Sequence, residues 1–278
     1  MGIRFSREQV EDRLRQSLAK GSPIIAAGAG NGLSAKCSEL GGIDLIIIYN
    51  SGKFRMDGLP SVSGLMPYGN ANDIVLELGE RHVLPAVKNT PVIAGVCGTD
   101  PTRDMGRFLH QIHDVGFSGV INYPTVSRFD GGIRRDFEAV GLGFIREVEM
   151  IAMARKIGLY TTCYVRNPDE SRQMADAGVD VVIPHVGLTS GGTIGAEQAM
   201  TLEQAAEASE AMIIAARASN PNIIALVHGG PMESPGDVDH VLQRTSAQGF
   251  VGASSIERLP VESAMVRTVS EFKKIRLR

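Results

Sequence analysis

One pattern recurs along this 278-residue chain and restricts its fold more than any other feature. A short apolar run gives way to a turn of Gly, Asn, Ser or Thr, and a longer stretch of helical periodicity follows. The runs are PIIAAG (23–28), DLIIIYN (44–50), PVIAGV (91–96), GVINYP (119–124), LYTTCYV (159–165), VDVVIP (179–184), NIIALVH (222–228) and GFVGAS (249–254). None alternates cleanly between apolar and polar residues, so each reads as a strand buried on both faces of a parallel sheet. Most of the helical stretches between them stop at Gly or Asn, as helix ends do. Eight such units in about 250 residues predict an α/β fold of the closed (β/α)8 type, a TIM barrel. The amphipathic stretch 6–21 precedes the first run and reads as an extra N-terminal helix. No Pro/Gly/Ser-rich linker breaks the pattern, so residues 1–278 read as one domain.

Composition excludes several functions. A formal charge of −3 and a pI near 6.1 give no electrostatic footprint for nucleic acid, and 5% aromatics without Trp give no base-stacking surface. Cys37, Cys97 and Cys163 are far apart and form no CxxC pair, which fits a reduced cytoplasm rather than a disulfide or zinc framework. No apolar run approaches the roughly 20 residues of a membrane span, so no membrane partner is expected. The opening MGIRFS matches the loose N-myristoylation pattern through Gly2 and Ser6, six residues that carry little weight. AAGAGNG (26–32) imitates a dinucleotide fingerprint, but Leu33 stands where its third glycine belongs and the second run ends in Tyr49-Asn50 instead of an acid. No nucleotide cofactor is expected.

In a barrel the active site forms at the C-terminal ends of the strands. The residues just after the runs are rich in Gly, Ser, Thr and His, with few carboxylates, which favours a small anionic ligand. HGGP (228–231) and GASS (252–255) follow the seventh and eighth runs, where barrels commonly hold phosphate on backbone N–H groups. Ser190-Gly191-Gly192-Thr193 lies on the adjacent sixth loop. Gly191, Gly192, Gly229 and Gly230 admit close backbone approach, and Ser190, Thr193, Ser254 and Ser255 add hydroxyl donors. His185 and His228 close apolar runs at the mouth, whereas His82, His110, His113 and His240 fall in helical stretches; the i, i+3 pair His110/His113 reads as a solvated helix face. Lys53 lies in a mouth loop with Arg55, and both are placed to neutralise a carboxylate or phosphate. No lysine falls within a strand, which argues against a Schiff-base aldolase. Asp100, in CGTDP, reads as a cation ligand or a helix cap, and Glu147 and Glu149 as favourable charges at the start of the fourth helix.

At these positions the sequence resembles a known family. YNSGKFRMDG (49–58), PVIAGVCGTDP (91–101), INYPTV (121–126), GLTSGGTIGA (187–196), HGGP (228–231) and GASSIERLP (252–260) are similar to the hallmark blocks of the phosphoenolpyruvate hydrolase family, also described as TIM-barrel signal-transduction proteins. The resemblance implies a barrel related to the phosphoenolpyruvate/pyruvate-binding enzymes, among them phosphonopyruvate hydrolase, phosphoenolpyruvate mutase and isocitrate lyase. Mutases and lyases of that group carry a D-x-D metal motif after the third strand and a K-x-C-G-H lid. This chain has Asp100 but no acidic pair and no such lid, so their residue roles do not transfer.

The expectation is hydrolysis of phosphoenolpyruvate or phosphonopyruvate to pyruvate and phosphate. The glycine loops would hold the phosphoryl group and Lys53 with Arg55 the carboxylate. His228 or His185 would activate water or protonate the enolate carbon, and the catalytic set is His228, His185, Asp100 and Lys53. Mg2+ at Asp100 fits such chemistry. A carbon–carbon lyase forming a pyruvate enolate, and a non-catalytic barrel sensing a phosphorylated metabolite, are the alternatives. The helical stretch 202–219 carries an apolar stripe, Ala205, Ala208, Met212, Ile213 and Ala216, from which a homo-oligomer is expected.

Overall fold

A computed structural model describes residues 5–197 and 199–277. All eight runs become strands: β1 Ile24–Gly28, β2 Leu45–Ile48, β3 Val92–Val96, β4 Gly119–Asn122, β5 Tyr160–Val165, β6 Val181–Pro184, β7 Ile224–Ala225, β8 Val227–His228 and β9 Gly249–Gly252. Every pairing is parallel, β1 through β7 in chain order, with β9 joining β1 to β8. β7 and β8 are one stave divided at Leu226. Its first half pairs with β6 and its second with β9, and a bridge between His185 and His228 spans the seam. The result is the expected (β/α)8 barrel. Every residue of β2 through β6 is buried, which explains why those runs do not alternate.

The helices are α1 Arg7–Ala19, α2 Gly32–Leu40, α3 Asn50–Met56, α4 Ala71–Leu78, α5 Met105–Val115, α6 Gly131–Ala139, α7 Ile145–Ile157, α8 Pro168–Asp176, α9 Leu202–Ser219, α10 Pro235–Leu242 and α11 Arg258–Phe272. α1, opened by a Ser6/Gln9 capping box, closes the N-terminal end of the barrel. It does so through polar contacts: Phe5 N–H to Ser118 Oγ (3.2 Å), Tyr160 Oη to Glu11 (2.8 Å), and Arg7 Nε to Asp180 (3.1 Å). Asp180 also accepts from Arg155 (2.8 Å) and from the Thr161 amide (2.9 Å), so the floor is tied on several sides. One continuous apolar cluster runs from Val10 to Val251.

Two long stretches follow β2 and β4 at the mouth, and both carry helices. Residues 50–72 contain α3, a 3-10 turn at Ser61–Leu65 and the start of α4; 124–143 contain a turn at Val126–Arg128 and α6. The apolar stripe of α9 is also differently used than expected. Ala205, Met212, Ile213 and Ala216 are buried within the chain, where α9 packs against α8 and α10, and that stripe offers no intermolecular face. Among the described residues no helix is long and apolar enough to cross a membrane. Gly2 lies outside them.

Candidate functional site

The C-terminal ends of the strands enclose a chamber of about 40 Å³. Its wall is aromatic. Tyr49 follows β2, Tyr123 follows β4, Tyr164 sits near the end of β5, His185 follows β6 and His228 ends β8, and all five line it. They stack in sequence round the axis: Tyr49–Tyr123 centroids lie 4.7 Å apart, Tyr123–Tyr164 6.0 Å, Tyr164–His228 4.8 Å and His185–His228 4.7 Å. Ser51, Ser61, Thr189 and Ser254 supply hydroxyls, and Arg55 a guanidinium. Among the described residues the wall includes no carboxylate.

Arg55 enters from α3 and is held by Glu257 at the start of α11, through Nε at 2.9 Å and through Nη2. Both side chains are 1% exposed. Burial opposes the Arg55 charge, but Glu257 and Tyr49 more than compensate and its pKa is raised. Glu257 also accepts from Gly30 N–H at 2.6 Å and from Ser34 Oγ, which ties the loop after β1 to the same point. This explains the glycines of AAGAGNG: a Cβ on Gly30 would collide with the Gly52 carbonyl of α3. A second guanidinium, Arg128, donates to His185 Nδ1 at 3.4 Å. Among the described residues it pairs with no carboxylate; burial and the nearby charge of Arg166 lower its pKa. An uncompensated, half-buried cation beside a polar chamber makes the local potential favourable to negative charge.

The two histidines are fixed in opposite tautomers by their partners. His228 Nδ1 lies 2.7 Å from the Val251 carbonyl and must donate to it, which leaves Nε2 as an acceptor. His185 Nδ1 accepts from Gly187 N–H (3.2 Å) and from Arg128, so its proton sits on Nε2. Burial depresses both pKa values, His228 to about 4 and His185 well below the ordinary histidine range with help from His228 and Arg128. Both are neutral at pH 7. The site thus pairs one imidazole that can take a proton with one that can give one. Ser51 Oγ and Tyr123 Oη are 2.8 Å apart, and burial holds the Tyr123 pKa up at about 12. Tyr164 Oη is buried and, among the described residues, has no hydrogen-bond partner within 3.5 Å; burial, with the more distant Tyr49 hydroxyl adding to it, raises its pKa well above the usual value. A buried hydroxyl left unpaired costs about 1–3 kcal/mol, so a ligand that satisfied it would recover that free energy.

The expected residues fall in three groups. His185, His228, Arg55 and Ser254 meet in the chamber. Lys53 does not: 50–56 is helical, so residues two apart face different ways, and Lys53 pairs at the surface with Asp57 at 2.7 Å. Asp100 does not line the chamber either. Its oxygens accept from Thr102 N (2.9 Å) and Oγ1 (2.6 Å), Asn72 (3.0 Å) and Arg103 (3.1 Å); despite burial these donors hold its pKa below the ordinary value. It organises its own loop.

The anion loops are spent on one another. Ser190 donates to Glu233, Thr193 donates to Glu262 through N (3.1 Å) and Oγ1 (2.6 Å), Arg258 holds the Gly191 carbonyl (3.0 Å), and Gly230 N–H donates to Gly187 O (3.0 Å). Gly192 and Ser255 line an outer groove against α11, and Gly229 packs so tightly on Gly187 that a Cβ would strike its carbonyl.

The sequence patterns did not single out Tyr49, Tyr164 or Arg128 as site residues, and brought in Tyr123 only as part of the segment Asn122–Thr125 at the end of the fourth run. A signal was present, since three of the chain's five tyrosines stand at strand ends. Glu147, expected as a favourable charge at a helix start, is fully buried and accepts from Asn122 (2.6 Å) and Val126 N–H (2.7 Å). Burial pushes its pKa up to about 7 despite those bonds.

This closed parallel barrel with its mouth chamber has the fold of the phosphoenolpyruvate mutase/isocitrate lyase class. Phosphonopyruvate hydrolase, solved with oxalate and Mg2+, superposes with a TM-score of 0.59 at 15% identity, covering 95% of this chain and 87% of that one. Oxaloacetate acetylhydrolase gives 0.61 at 15% identity over 95% and 86%. The chain itself belongs to the phosphoenolpyruvate hydrolase-like family, whose model matches residues 9–275. Its relatives include the ToMV susceptible protein tm-1(GCR26) of Solanum lycopersicum, 52% identical over 95% of this chain and 35% of that protein. The putative transcriptional regulatory protein y4pA of Sinorhizobium fredii is 36% identical over 97% and 44%. The chain therefore spans between a third and a half of these relatives.

The residues present do not fit a Mg2+ ion. Magnesium takes an octahedron of oxygens anchored on one or two carboxylates. The chamber wall offers none, Glu257 and Asp100 are committed to other donors, and among the described residues no three His, Cys, Asp or Glu converge as a metal site.

Proposed function

We propose that the mouth of the barrel, with this chamber as its inner end, binds a small phosphorylated or phosphono three-carbon acid and hydrolyses it to pyruvate and phosphate. The observation that carries this reading is the pair of neutral histidines in opposite tautomers beside an unpaired Arg128 and an unpaired Tyr164 hydroxyl. For phosphonopyruvate, water attacks phosphorus and the P–C bond breaks, its electron pair remaining on carbon as the pyruvate enolate. His228 Nε2 takes the proton of the attacking water and returns it to that carbon. His185 Nε2–H and Tyr164 Oη donate to the enolate oxygen and the carboxylate, and Arg128 with Ser254 holds the phosphonate. The negative charge of the ligand raises the low pKa of His228 toward a useful range. Such catalysis is mostly positioning and charge stabilisation.

The same enolate chemistry would serve a carbon–carbon lyase, and the absence of a carboxylate from the wall favours, as a second reading, a barrel that binds the anion without turning it over. Calorimetry with inorganic phosphate tests the seat. Losing one hydrogen bond to a charged oxygen costs about 1.5–3 kcal/mol, so Ser254→Ala weakens binding roughly 10- to 100-fold. Equal affinity in wild type and variant removes Ser254 from the site.

A further inference from the structure

The buried stripe of α7 is Glu147, Met150, Ile151 and Ala154, at the i, i+3, i+4, i+7 spacing of core positions. Its first member is a carboxylate that lies outside the chamber wall and, among the described residues, bonds only to neutral groups. Its two oxygens serve different segments. Oε2 accepts from Asn122 Nδ2, and the Asn122 amide in turn takes both polar groups of the Tyr164 backbone. Oδ1 accepts from the Tyr164 N–H at 2.7 Å, and Nδ2 donates to the Tyr164 carbonyl at 3.1 Å. The paired register of β4 and β5 ends at Ile121 and Thr162, so this side chain continues the ladder where the backbone stops. Oε1 accepts from the N–H of Val126, the first residue of the turn that carries Arg128. Arg134 takes the Val126 carbonyl from the other side at 3.2 Å and is itself seated on Glu170 at 2.9 Å. One carboxylate thus ties together the segments that present the Arg128 guanidinium and the Tyr164 hydroxyl.

We infer that Glu147 is a positioning residue whose ionised carboxylate fixes Arg128 and Tyr164 relative to one another, a link that protonation loosens. The groups that face its oxygens are Asn122 Nδ2, the Val126 N–H and the Thr125 hydroxyl, and a carboxylate can accept from all three. An amide, or the protonated acid, must turn a hydrogen of its own among these donors and gives up at least one of the bonds. Several charges and titratable groups bear on its proton. The first turn of α7 favours the ionised form, whereas burial and Glu170 of α8 oppose it. Cys97 after β3 and Cys163 of β5 lie near it as neutral thiols, since burial raises both of their pKa values. Arg134 is engaged by Glu138 and Glu170. The balance places the titration of Glu147 near neutral pH, at about 7. The bearing of this link on ligand binding rests on the anion reading of the chamber; the coupling of Arg128 to Tyr164 does not.

NMR on the whole protein between pH 6 and 8 tests the coupling with no ligand present. In wild type the Val126 and Tyr164 amide shifts and the Arg128 Nε–H shift should move together, with one midpoint at about 7. In Glu147→Gln none of the three should show that step. A Val126 signal that titrates while Tyr164 and Arg128 stay still overturns the inference, as does the absence of any step in wild type. The wild-type titration decides this even where the variant does not fold. Calorimetry with inorganic phosphate carries the link to the site. Glu147→Gln, an isostere of the protonated acid, should bind roughly 10-fold more weakly than wild type at pH 8 and about equally at pH 6. Phosphate itself titrates in this range, but alike for both proteins, so the ratio reports Glu147. A ratio that is the same at both pH values shows a merely structural loss and overturns the inference. A wild type that takes up no phosphate at pH 8 contradicts the anion reading of the chamber, and the NMR titration then decides the coupling by itself.

Discussion

His185 and His228 meet edge to face, ring centroids 4.7 Å apart and planes at 88°, at the seam where the divided seventh stave joins the sixth. Each is held neutral by burial, and protonating one would set a cation against the other and against Arg128. The pair thus contributes to stability through its burial, and in the proposed reaction it is also what moves the proton.

Its pH dependence follows. The folded pKa of His228, about 4, lies below the ordinary 6.5, so the unfolded chain binds the extra proton first. Its contribution is full above pH 6.5 and is lost as pH falls toward 4, at up to about 1.4 kcal/mol per pH unit. Urea unfolding at pH 7.5, 6 and 5 should show this decline, and His228→Gln should show a shallower one. Equal slopes contradict the assignment.

Glu147 has the opposite sign. Its folded pKa, about 7, lies above the ordinary 4.5, so its favourable contribution is present below pH 4.5 and is lost as pH rises through 7. Relative to Glu147→Gln, wild type should lose at most about 3 kcal/mol between pH 4.5 and 8 in the same assay. A constant difference would mean that the carboxylate is already ionised when buried.

Tyr164→Phe separates binding from folding. Because the hydroxyl is unpaired, its removal should leave stability unchanged or raise it by about 1 kcal/mol, while phosphate or phosphonopyruvate binds less tightly. Thermal unfolding and calorimetry on one sample decide this. A clear loss of stability shows that the hydroxyl has a partner in the folded protein.

Glu257→Ala leaves Arg55 charged, buried and unpaired, and should cost about 3–5 kcal/mol. Arg55→Met/Glu257→Met removes both charges and should cost less than the single change. Chemical denaturation checks the order, and additive costs would refute the coupling of the two residues.

The barrel was legible because eight apolar runs at regular spacing admit few topologies. The chamber was only partly so. His185 and His228 announced themselves by closing strands, whereas Lys53 and Arg55, neighbours in the sequence, were sent to different faces by a helix too short to show periodicity. The phosphate loops looked free because nothing in Ser190, Thr193 or Gly191 reveals that Glu233, Glu262 and Arg258, 43 to 69 residues away in the hydrogen-bond pattern, consume their polar groups. Glu147 read only as a favourable charge at a helix start because such a position permits either burial or exposure, and only tertiary packing chose.

In the proposed reaction the neutral histidine pair turns over a phosphono acid. Incubation of the protein with phosphonopyruvate, with pyruvate and phosphate measured together and His228→Asn alongside, is the decisive measurement. Wild type should release the two products in equal amounts, and the variant should lose turnover far more than affinity, because a group that moves protons acts mainly in the transition state. Tight binding of phosphonopyruvate without product, or a His228→Asn variant that releases pyruvate as fast as wild type, would contradict it.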